Sequence, residues 1–492
     1  MASRPLRARP RAAVLTCRPV NTARPALPRP VLLVLLLSAL LSLWTALRFP
    51  LVDPDEGRNA EVAREMSVNG DVVIPHLAGL PYLDKPPLLF AAAAVCIRVL
   101  GHVPLAARLP SILASLATLL LLARSAQALE PEGHAARAVA FTAAAPLFAA
   151  LSAYVIFDMP LALCVTAVWT GVALELESGP DTSRRAGMFL AVALGVLDKG
   201  PVMLAWALGG SAAAALLLRR RAPLRWLAWG PGWLGMLAIA GGWFALALRR
   251  HPEYARYAFL EESLERMTRG SFRREQPAWF VPAVFAAGAL PWSLATPWRW
   301  PASRATRVAA GFVLFATVFF SLSHSKLVTY LLPAFPAFAW WASESWGRRG
   351  PGLAKPMIAA LCLSPLLLVA GSPWLSRYAA TQSGAPLAGE ITRAGGGTVV
   401  YEDCYSPGSD YLLGRVSPVV TRTGRELTSN YVIRYRDVLR RRGQWCLYDS
   451  LAAAPPANVR VVATRRDHGP FPAGADSAIF TDRRFTAFAA RH

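Results

Sequence analysis

Two short strings hold most of the chemistry this chain could do. Asp53-Pro54-Asp55-Glu56-Gly57-Arg58 follows the first long apolar run, and Asp84-Lys85-Pro86-Pro87 precedes another apolar segment. Charges this close to membrane-length segments are costly where lipid is near, so they point to a polar reaction site at a membrane surface. Asp53 fits a helix N-cap, Pro54 the first helical position and Glu56 the third, which is the pattern of a capping box. That pattern accounts for Asp53 and in part for Glu56, but leaves Asp55 with only a small dipole benefit. On a helix Asp55, Arg58, Asn59 and Val62 share one face, so Arg58 could hold the Asp55 carboxylate in place. A carboxylate held in this way can orient a hydroxyl or take its proton. Lys85 stands before two prolines that fix an extended approach and then a helix start. A lysine there opposes the helix dipole, whereas lysine with free backbone N–H groups makes an anion site suited to phosphate. The structural alternative is a solvated or snorkelling lysine.

Asp158 opens Asp158-Met159-Pro160-Leu161 at the mouth of an apolar run, where N-capping alone would explain it. Ser323-His324-Ser325-Lys326 leads to Tyr330, with Lys326 and Tyr330 read as one helical turn apart, and Lys199 is placed like Lys326. Metal binding is a weak signal. The seven histidines form no HxxxH or HExxH pair, and Asp55, Glu56, Asp84 and Asp158 could take a hard divalent cation without their spacing demanding one. No cofactor is required by the sequence. P-loop and GxGxxG patterns are absent, which argues against a nucleotide-sugar donor or an ATP-driven step.

The elements that must position these residues are mostly membrane helices. Of 492 residues 54% are hydrophobic and 17% charged, and apolar runs recur from Val31 to Trp374. The fold class is therefore an all-α polytopic membrane protein with about 11–13 transmembrane helices and a small C-terminal α/β domain. Candidate spans are 31–49, 107–124, 137–153, 159–176, 187–198, 201–218, 226–248, 278–297, 307–322, 328–346 and 356–374. The net charge of +22 sits in short clusters between these runs, the distribution of positive-inside loops rather than of a nucleic-acid surface. Segment 88–101 is too short to span. With 88–101 lying at the outer surface, the basic N-terminal tail, Arg184-Arg185, Arg219-Arg220-Arg221, Arg299 to Arg307 and Arg348-Arg349 all fall on the cytoplasmic side. Asp55, Lys85, Asp158, Lys199 and Lys326 then share the outer side.

Three regions follow: a cytoplasmic basic tail at 1–30, a membrane domain at 31–374 with an outer-surface loop at 50–106, and an extracytoplasmic domain at 375–492. The loop 249–277 is basic yet assigned outside. Either its five acids offset the arginines in a solvated helix, or some arginines meet an anionic substrate. In the last region Thr398–Tyr401, Pro418–Thr421, Cys446–Tyr448 and Val459–Thr464 read as strands and Ser429–Arg442 as a helix. Cys404 and Cys446 could form a disulfide there or remain free.

The ordered series DPDEGRNAEVAREM, GLPYLDKPPLLF, AARLPS, FDMPL, LDKGPV, FLEESLERM, ALPWS and SHSKLVTYLLPAFP resembles the GT-C membrane glycosyltransferases. The likeness is to the bacterial 4-amino-4-deoxy-L-arabinose transferases (ArnT-like), related to protein O-mannosyltransferases, and covers about residues 31 to 350. The resemblance implies a sugar carried on a polyprenyl phosphate and moved to lipid A, another glycan or a protein at the extracytoplasmic face of the inner membrane. It implies Asp55 and Asp158 as two acidic motifs and Lys85 on the donor phosphate. Glu56, Arg58, Tyr82, Asp84, Lys326 and Tyr330 would line the substrate site, and Arg266 and Arg274 could add positive charge at the leaving group. Asp84 stands where the family usually has Glu, Asn59 where an aromatic is common, and Arg273-Arg274 where relatives often carry His. That Glu and His can hold a metal in the family, so the metal does not carry over by resemblance. A flippase for lipid-linked sugars is the alternative from another class. It would favour charges deep in spans, whereas these collect at one surface.

Overall fold

The computed structural model describes residues 26–265, 276–348, 354–463 and 478–489. The chain begins with α1 (Arg29–Arg48), α2 (Asp55–Asn69), α3 (Leu88–Leu100), α4 (Pro104–Leu129), α5 (His134–Ala144), α6 (Pro146–Leu151), α7 (Asp158–Ser178), α8 (Thr182–Lys199) and α9 (Val202–Leu218). It continues through α10 (Gly230–Arg250), α11 (Arg304–Leu322) and α12 (Phe335–Gly347). Among the described residues α1, α4, α7, α10 and α11 are long and apolar enough to cross a membrane. The 20 residues of α1 rise about 30 Å, the thickness of a bilayer's hydrocarbon core. Leu32, Leu33, Leu36, Leu37, Leu40 and Leu47 of α1 point outward, a face that lipid accommodates and water does not. This is a multi-pass membrane protein.

Several expected spans are broken rather than continuous, and proline is the reason. Residues 137–153 divide into α5 and α6 at Pro146. Residues 278–297 divide into Phe280–Gly288 and Trp292–Ala295 around Pro291, and 328–346 into a tight 3-10 segment, Val328–Ala334, followed by α12. Each proline lacks an N–H and crowds the preceding turn. Membrane proteins tolerate such breaks where neighbouring helices cover them. The cover here is aromatic: Trp169, Trp206, Trp292 and Trp340 are fully buried, and Phe141 stacks on Trp292 at 4.0 Å. Helices α9 and α11 touch backbone to backbone. A Cβ added at Gly311 would sit 2.5 Å from the Ala214 nitrogen, so only glycine allows this approach.

Helix α3 has 13 residues and rises about 20 Å, well short of a crossing. Its Leu89, Phe90, Ala93 and Ile97 are buried in a cluster with Ala60, Val62 and Ala63 of α2 and Ala106 and Ala107 of α4. The same cluster takes in Val399, Tyr401 and Val461 of the C-terminal region, so that region packs onto α2, α3 and α4.

The C-terminal region is a five-stranded sheet with helices. After a two-stranded hairpin, β1 (His76–Leu77) and β2 (Leu80–Pro81), the strands β3 (Val399–Glu402), β4 (Val419–Val420), β5 (Val459–Ala463), β6 (Ala478–Thr481) and β7 (Phe485–Ala489) lie in the order β4-β3-β5-β7-β6. β3 runs parallel to β4 and β5, while β7 runs antiparallel to β5 and β6. Residues 446–448 contribute only one bridge, Tyr448 to Val420, rather than the expected strand. The sulfurs of Cys404 and Cys446 are free; Cys446 donates to the Ala78 carbonyl at 3.1 Å and Cys404 to that of Val461 at 3.4 Å.

Candidate active site

The site is built around the start of α2. The expected capping box does not form, because Asp53 is pulled away from the helix. Its carboxylate accepts from Ser406 Oγ and from the Gly408 N–H, both at 3.1 Å, and from Arg484 at 3.4 Å, which ties the membrane domain to the C-terminal domain. Glycine at position 57 permits that closeness, since a Cβ there would lie 2.9 Å from the Gly408 nitrogen. The helix therefore starts at Asp55.

Glu56 is fully buried, which removes it from the substrate-lining set. Its two oxygens take Arg108 Nε and Nη2, each at 2.7 Å, together with the N–H groups of Val52 at 3.0 Å and Val155 at 3.2 Å. Arg108 of α4 also donates to the carbonyls of Ala46, Phe49 and Pro50. This one guanidinium joins the end of α1, the start of α2 and α4, and so sets where Asp55 stands. Glu56→Gln leaves Arg108 charged and underpaired inside the protein, and we expect a stability loss of about 3–5 kcal/mol. Thermal unfolding in detergent checks this; an unchanged midpoint contradicts it.

Asp55 differs from its neighbours in being open. Its side chain is 60% exposed and Arg58 Nη2 holds Oδ1 at 2.7 Å, the i,i+3 pairing anticipated from the helix face. The Arg58 guanidinium lies 5.9 Å from the centroid of the buried Tyr82 ring, and burial pushes that phenol well above its usual range. Tyr82 leads to Asp84, whose Oδ1 accepts from Tyr257 OH and from the Tyr431 N–H at 3.0 Å. Burial, reinforced by the negative charge of Glu262, holds the Asp84 carboxyl above its ordinary value. The Lys85 ammonium meets Glu262 at 2.9 Å and is 23% exposed, so it is neither snorkelling nor fully solvated.

Asp158 begins α7 and pairs with Lys199 at the end of α8 instead of capping its own helix. The Lys199 ammonium also lies 4.9 Å from the Tyr330 ring centroid. Helix α3, which follows the Lys85 loop, packs against α8, which ends at Lys199, so the Asp158–Lys199 pair and the Lys85 loop belong to neighbouring elements. Asp55, Arg58, Tyr82, Asp84, Lys85, Asp158 and Tyr330 are thus linked in space although they span 275 positions of the chain. Lys326 lies outside the helical turn that holds Tyr330, contrary to the one-turn spacing read from the sequence. Its ammonium donates to the Gln276 carbonyl at 2.7 Å and lines a cavity of about 400 Å³ with His324 and Pro277; the lining includes neither Asp55 nor Lys85. Arg266 and Arg274 lie outside the described residues. Among the described residues no group of three His, Cys, Asp or Glu side chains converges; Glu56 is taken up by Arg108, while Asp84 accepts at Oδ1 and its buried Oδ2 has no partner.

Behind α2 lies a second charged layer. Arg64 grips Glu61 bidentately at 2.7 and 2.6 Å, and Glu65 accepts from the N–H groups of Ala78 at 2.6 Å and Gly79 at 3.0 Å. These contacts let a polar helix be buried, because each charge meets a partner. Burial raises the Glu65 carboxyl to about 7 from 4.5, against the two N–H groups and Arg64, with Asp410 adding to the rise. The folded state therefore holds this proton more tightly than the unfolded one. Its contribution is complete below about pH 4.5 and is lost as pH rises through about 7. Glu65→Gln cannot titrate. We expect wild type to lose roughly 3 kcal/mol relative to that variant over this window. Unfolding of both proteins at pH 5 and pH 8 checks it, and a constant difference contradicts it.

The comparisons with known proteins agree with this architecture. The crystal structure of ArnT from Cupriavidus metallidurans bound to undecaprenyl phosphate superposes with a TM-score of 0.75, covering 93% of this chain and 97% of that one at 22% identity. That likeness establishes the fold. In sequence, the family described as dolichyl-phosphate-mannose-protein mannosyltransferase matches residues 84–243. The undecaprenyl phosphate-alpha-4-amino-4-deoxy-L-arabinose arabinosyl transferase of Aeromonas salmonicida is 27% identical over 397 residues, 76% of this chain and 72% of that one. Its counterpart from Pseudomonas aeruginosa is 29% identical over 334 residues, 64% of this chain and 60% of the relative. In fold and in sequence the chain is similar to the ArnT-like GT-C glycosyltransferases.

Set beside these relatives, the protein has site residues that its motifs contained without revealing their tasks. Glu262, the partner of Lys85, sits in FLEESLERM, and Arg108, the staple behind Asp55, sits in AARLPS. In the described part of the loop 249–277, Glu253 meets Tyr431 and Arg442, Glu261 meets Tyr435 and Glu262 meets Lys85, while Arg250 pairs with Asp71. Thr428 and Tyr431 come from the C-terminal domain, where no pattern linked them to the acidic motif.

Proposed function

We propose that this protein transfers a sugar from a polyprenyl-phosphate donor to an acceptor at the extracytoplasmic face of the bacterial inner membrane, in one inverting displacement at the anomeric carbon. The observation that carries this reading is the open, Arg58-held Asp55 carboxylate in the same charged network as the Lys85 ammonium. The named activity of the related transferases and the undecaprenyl phosphate bound by the Cupriavidus protein support a lipid-phosphate donor.

In the reaction the acceptor oxygen bonds to the anomeric carbon while the bond from that carbon to the phosphate oxygen breaks. The bonding electron pair leaves with the polyprenyl phosphate. Lys85, released from Glu262 by the incoming phosphate, stabilises the negative charge that grows there. Asp55 takes the proton of an acceptor hydroxyl or, for a phosphate acceptor, orients the nucleophile and balances charge. Asp158 holds Lys199 beside Tyr330, which brings a second ammonium to the donor's side of the network. Arg58 and Tyr82 form the floor under Asp55. Lipid A, another glycan or a protein would serve as acceptor. In this reading residues 50–106, with the non-crossing α3, and residues 375–492 lie on the outer side, and positive-inside loops face the cytoplasm.

The test uses the purified protein in liposomes, with polyprenyl phosphate carrying a radiolabelled sugar. Membranes from a host lacking this chain provide the acceptor. Label should pass to the acceptor fraction with one polyprenyl phosphate released per sugar moved. Movement of intact labelled lipid between leaflets without product would refute the reading.

A further inference from the structure

We propose that Thr428 of the C-terminal domain is a positioning residue for Asp55, acting through Arg58. The inference rests on the role given to Asp55 above and extends the active site into a second domain. Arg58 makes two sets of contacts at opposite ends of its guanidinium. Nη2 holds Asp55 Oδ1 at 2.7 Å, while Nη1 donates to Thr428 Oγ1 at 2.7 Å and to the Thr428 carbonyl at 3.3 Å. The planar, fork-like group thereby transmits the position of the Thr428 turn to the carboxylate.

The backbone of Thr428 gives a second, independent sign. It adopts φ 54°, ψ 25°, a left-handed conformation that a β-branched residue seldom occupies. Glycine or asparagine would take this conformation more readily. The side chain is exposed and contributes nothing to a core, so packing does not explain why threonine stands here. Its hydroxyl on Arg58 does. Strain of this kind is held where the surrounding structure demands it, and such places cluster at functional sites.

The turn is also well anchored on the far side of the site. Thr428 closes the short turn Arg425–Leu427, and Ser429 caps the following helix, Asn430–Arg441, by accepting from Val432 N–H at 3.3 Å. One residue further, the Tyr431 N–H donates to Asp84 at 3.0 Å. Four consecutive residues therefore grip both strings that carry the chemistry: Thr428 through Arg58 to Asp55, and Tyr431 directly to Asp84. The C-terminal domain completes the site by setting the spacing between the acceptor-side carboxylate and the loop bearing Lys85.

Three variants in the transfer assay test this. Thr428→Val keeps the β-branched shape and removes the hydroxyl; kcat should fall roughly tenfold or more, the effect of losing one hydrogen bond to a charged group, with donor KM unchanged. Thr428→Ser keeps the hydroxyl and should restore wild-type kcat. Thr428→Gly removes the hydroxyl but relieves the backbone, so its thermal stability should match or exceed wild type while kcat stays low. In an Asp55→Asn background Thr428→Val should cost nothing further, because the two act in series. Wild-type kcat in both Val and Gly variants overturns the proposal, as does a loss in the Val variant that Thr428→Ser shares equally. A wild-type protein that transfers no sugar would instead bring down the reading of Asp55 itself.

Discussion

Asp55→Asn lowers turnover about 10²–10⁴-fold while the protein folds and inserts as before, the range typical for losing a positioned proton acceptor. Two features of the site make the variant clean. The side chain is 60% exposed and has one ion-pair partner, so the amide leaves no buried charge without a counterpart. The Arg108–Glu56 staple that sets the start of α2 does not involve Asp55, so the backbone geometry is retained. The loss should fall on kcat, with donor KM little changed, because the donor phosphate is held elsewhere. Steady-state transfer kinetics beside a thermal unfolding curve separate the two effects. Turnover within twofold of wild type would end the role given to Asp55.

Lys85→Ala should lower kcat/KM by about 10²–10³, the cost of removing one preorganised group aimed at developing negative charge. Unlike the first variant, this one should also raise donor KM, because the phosphate carries charge before and after the reaction. The contacts add a prediction about Lys85→Arg. Glu262 meets the lysine at 2.9 Å beside the buried Asp84, and a longer planar cation cannot reproduce a compact ammonium in that space. Lys85→Arg should therefore keep the charge and recover only part of the activity. Kinetics over a range of donor concentrations read both constants, and an unchanged KM in the alanine variant contradicts phosphate binding at Lys85.

The parts of this molecule that could be read in the amino-acid sequence are those governed by local rules. The helical Asp55–Arg58 spacing on α2 and the strands β3 and β5 follow from helix periodicity and alternation. The short α3 was legible as a segment unable to cross because length alone decides that. The rest depends on contacts far apart in the chain. Asp53 reads as a cap, yet Ser406 and Gly408, more than 350 residues away, claim its carboxylate. Glu56 reads as a site residue until Arg108 is found against both its oxygens. Long apolar runs marked where helical segments lie but not their continuity, since Pro146, Pro291 and Pro333 break what hydropathy joins. The strands β6 and β7 went unread because the arginine-rich turn Asp482-Arg483-Arg484 joins them in place of a glycine or asparagine hairpin signal.

The claim beneath all of this is that the lipid phosphate binds beside Lys85, on the same side of the membrane as Asp55. Polyprenyl phosphate with a photoreactive group in its first isoprene unit tests it directly in liposomes. After illumination and proteolysis, the attached peptides should come from residues 82–90, 257–262 or the Lys199 turn, and attachment should fall in Lys85→Ala. Attachment confined to the arginine-rich loops at 184–185 and 219–225, undiminished in that variant, would contradict the account.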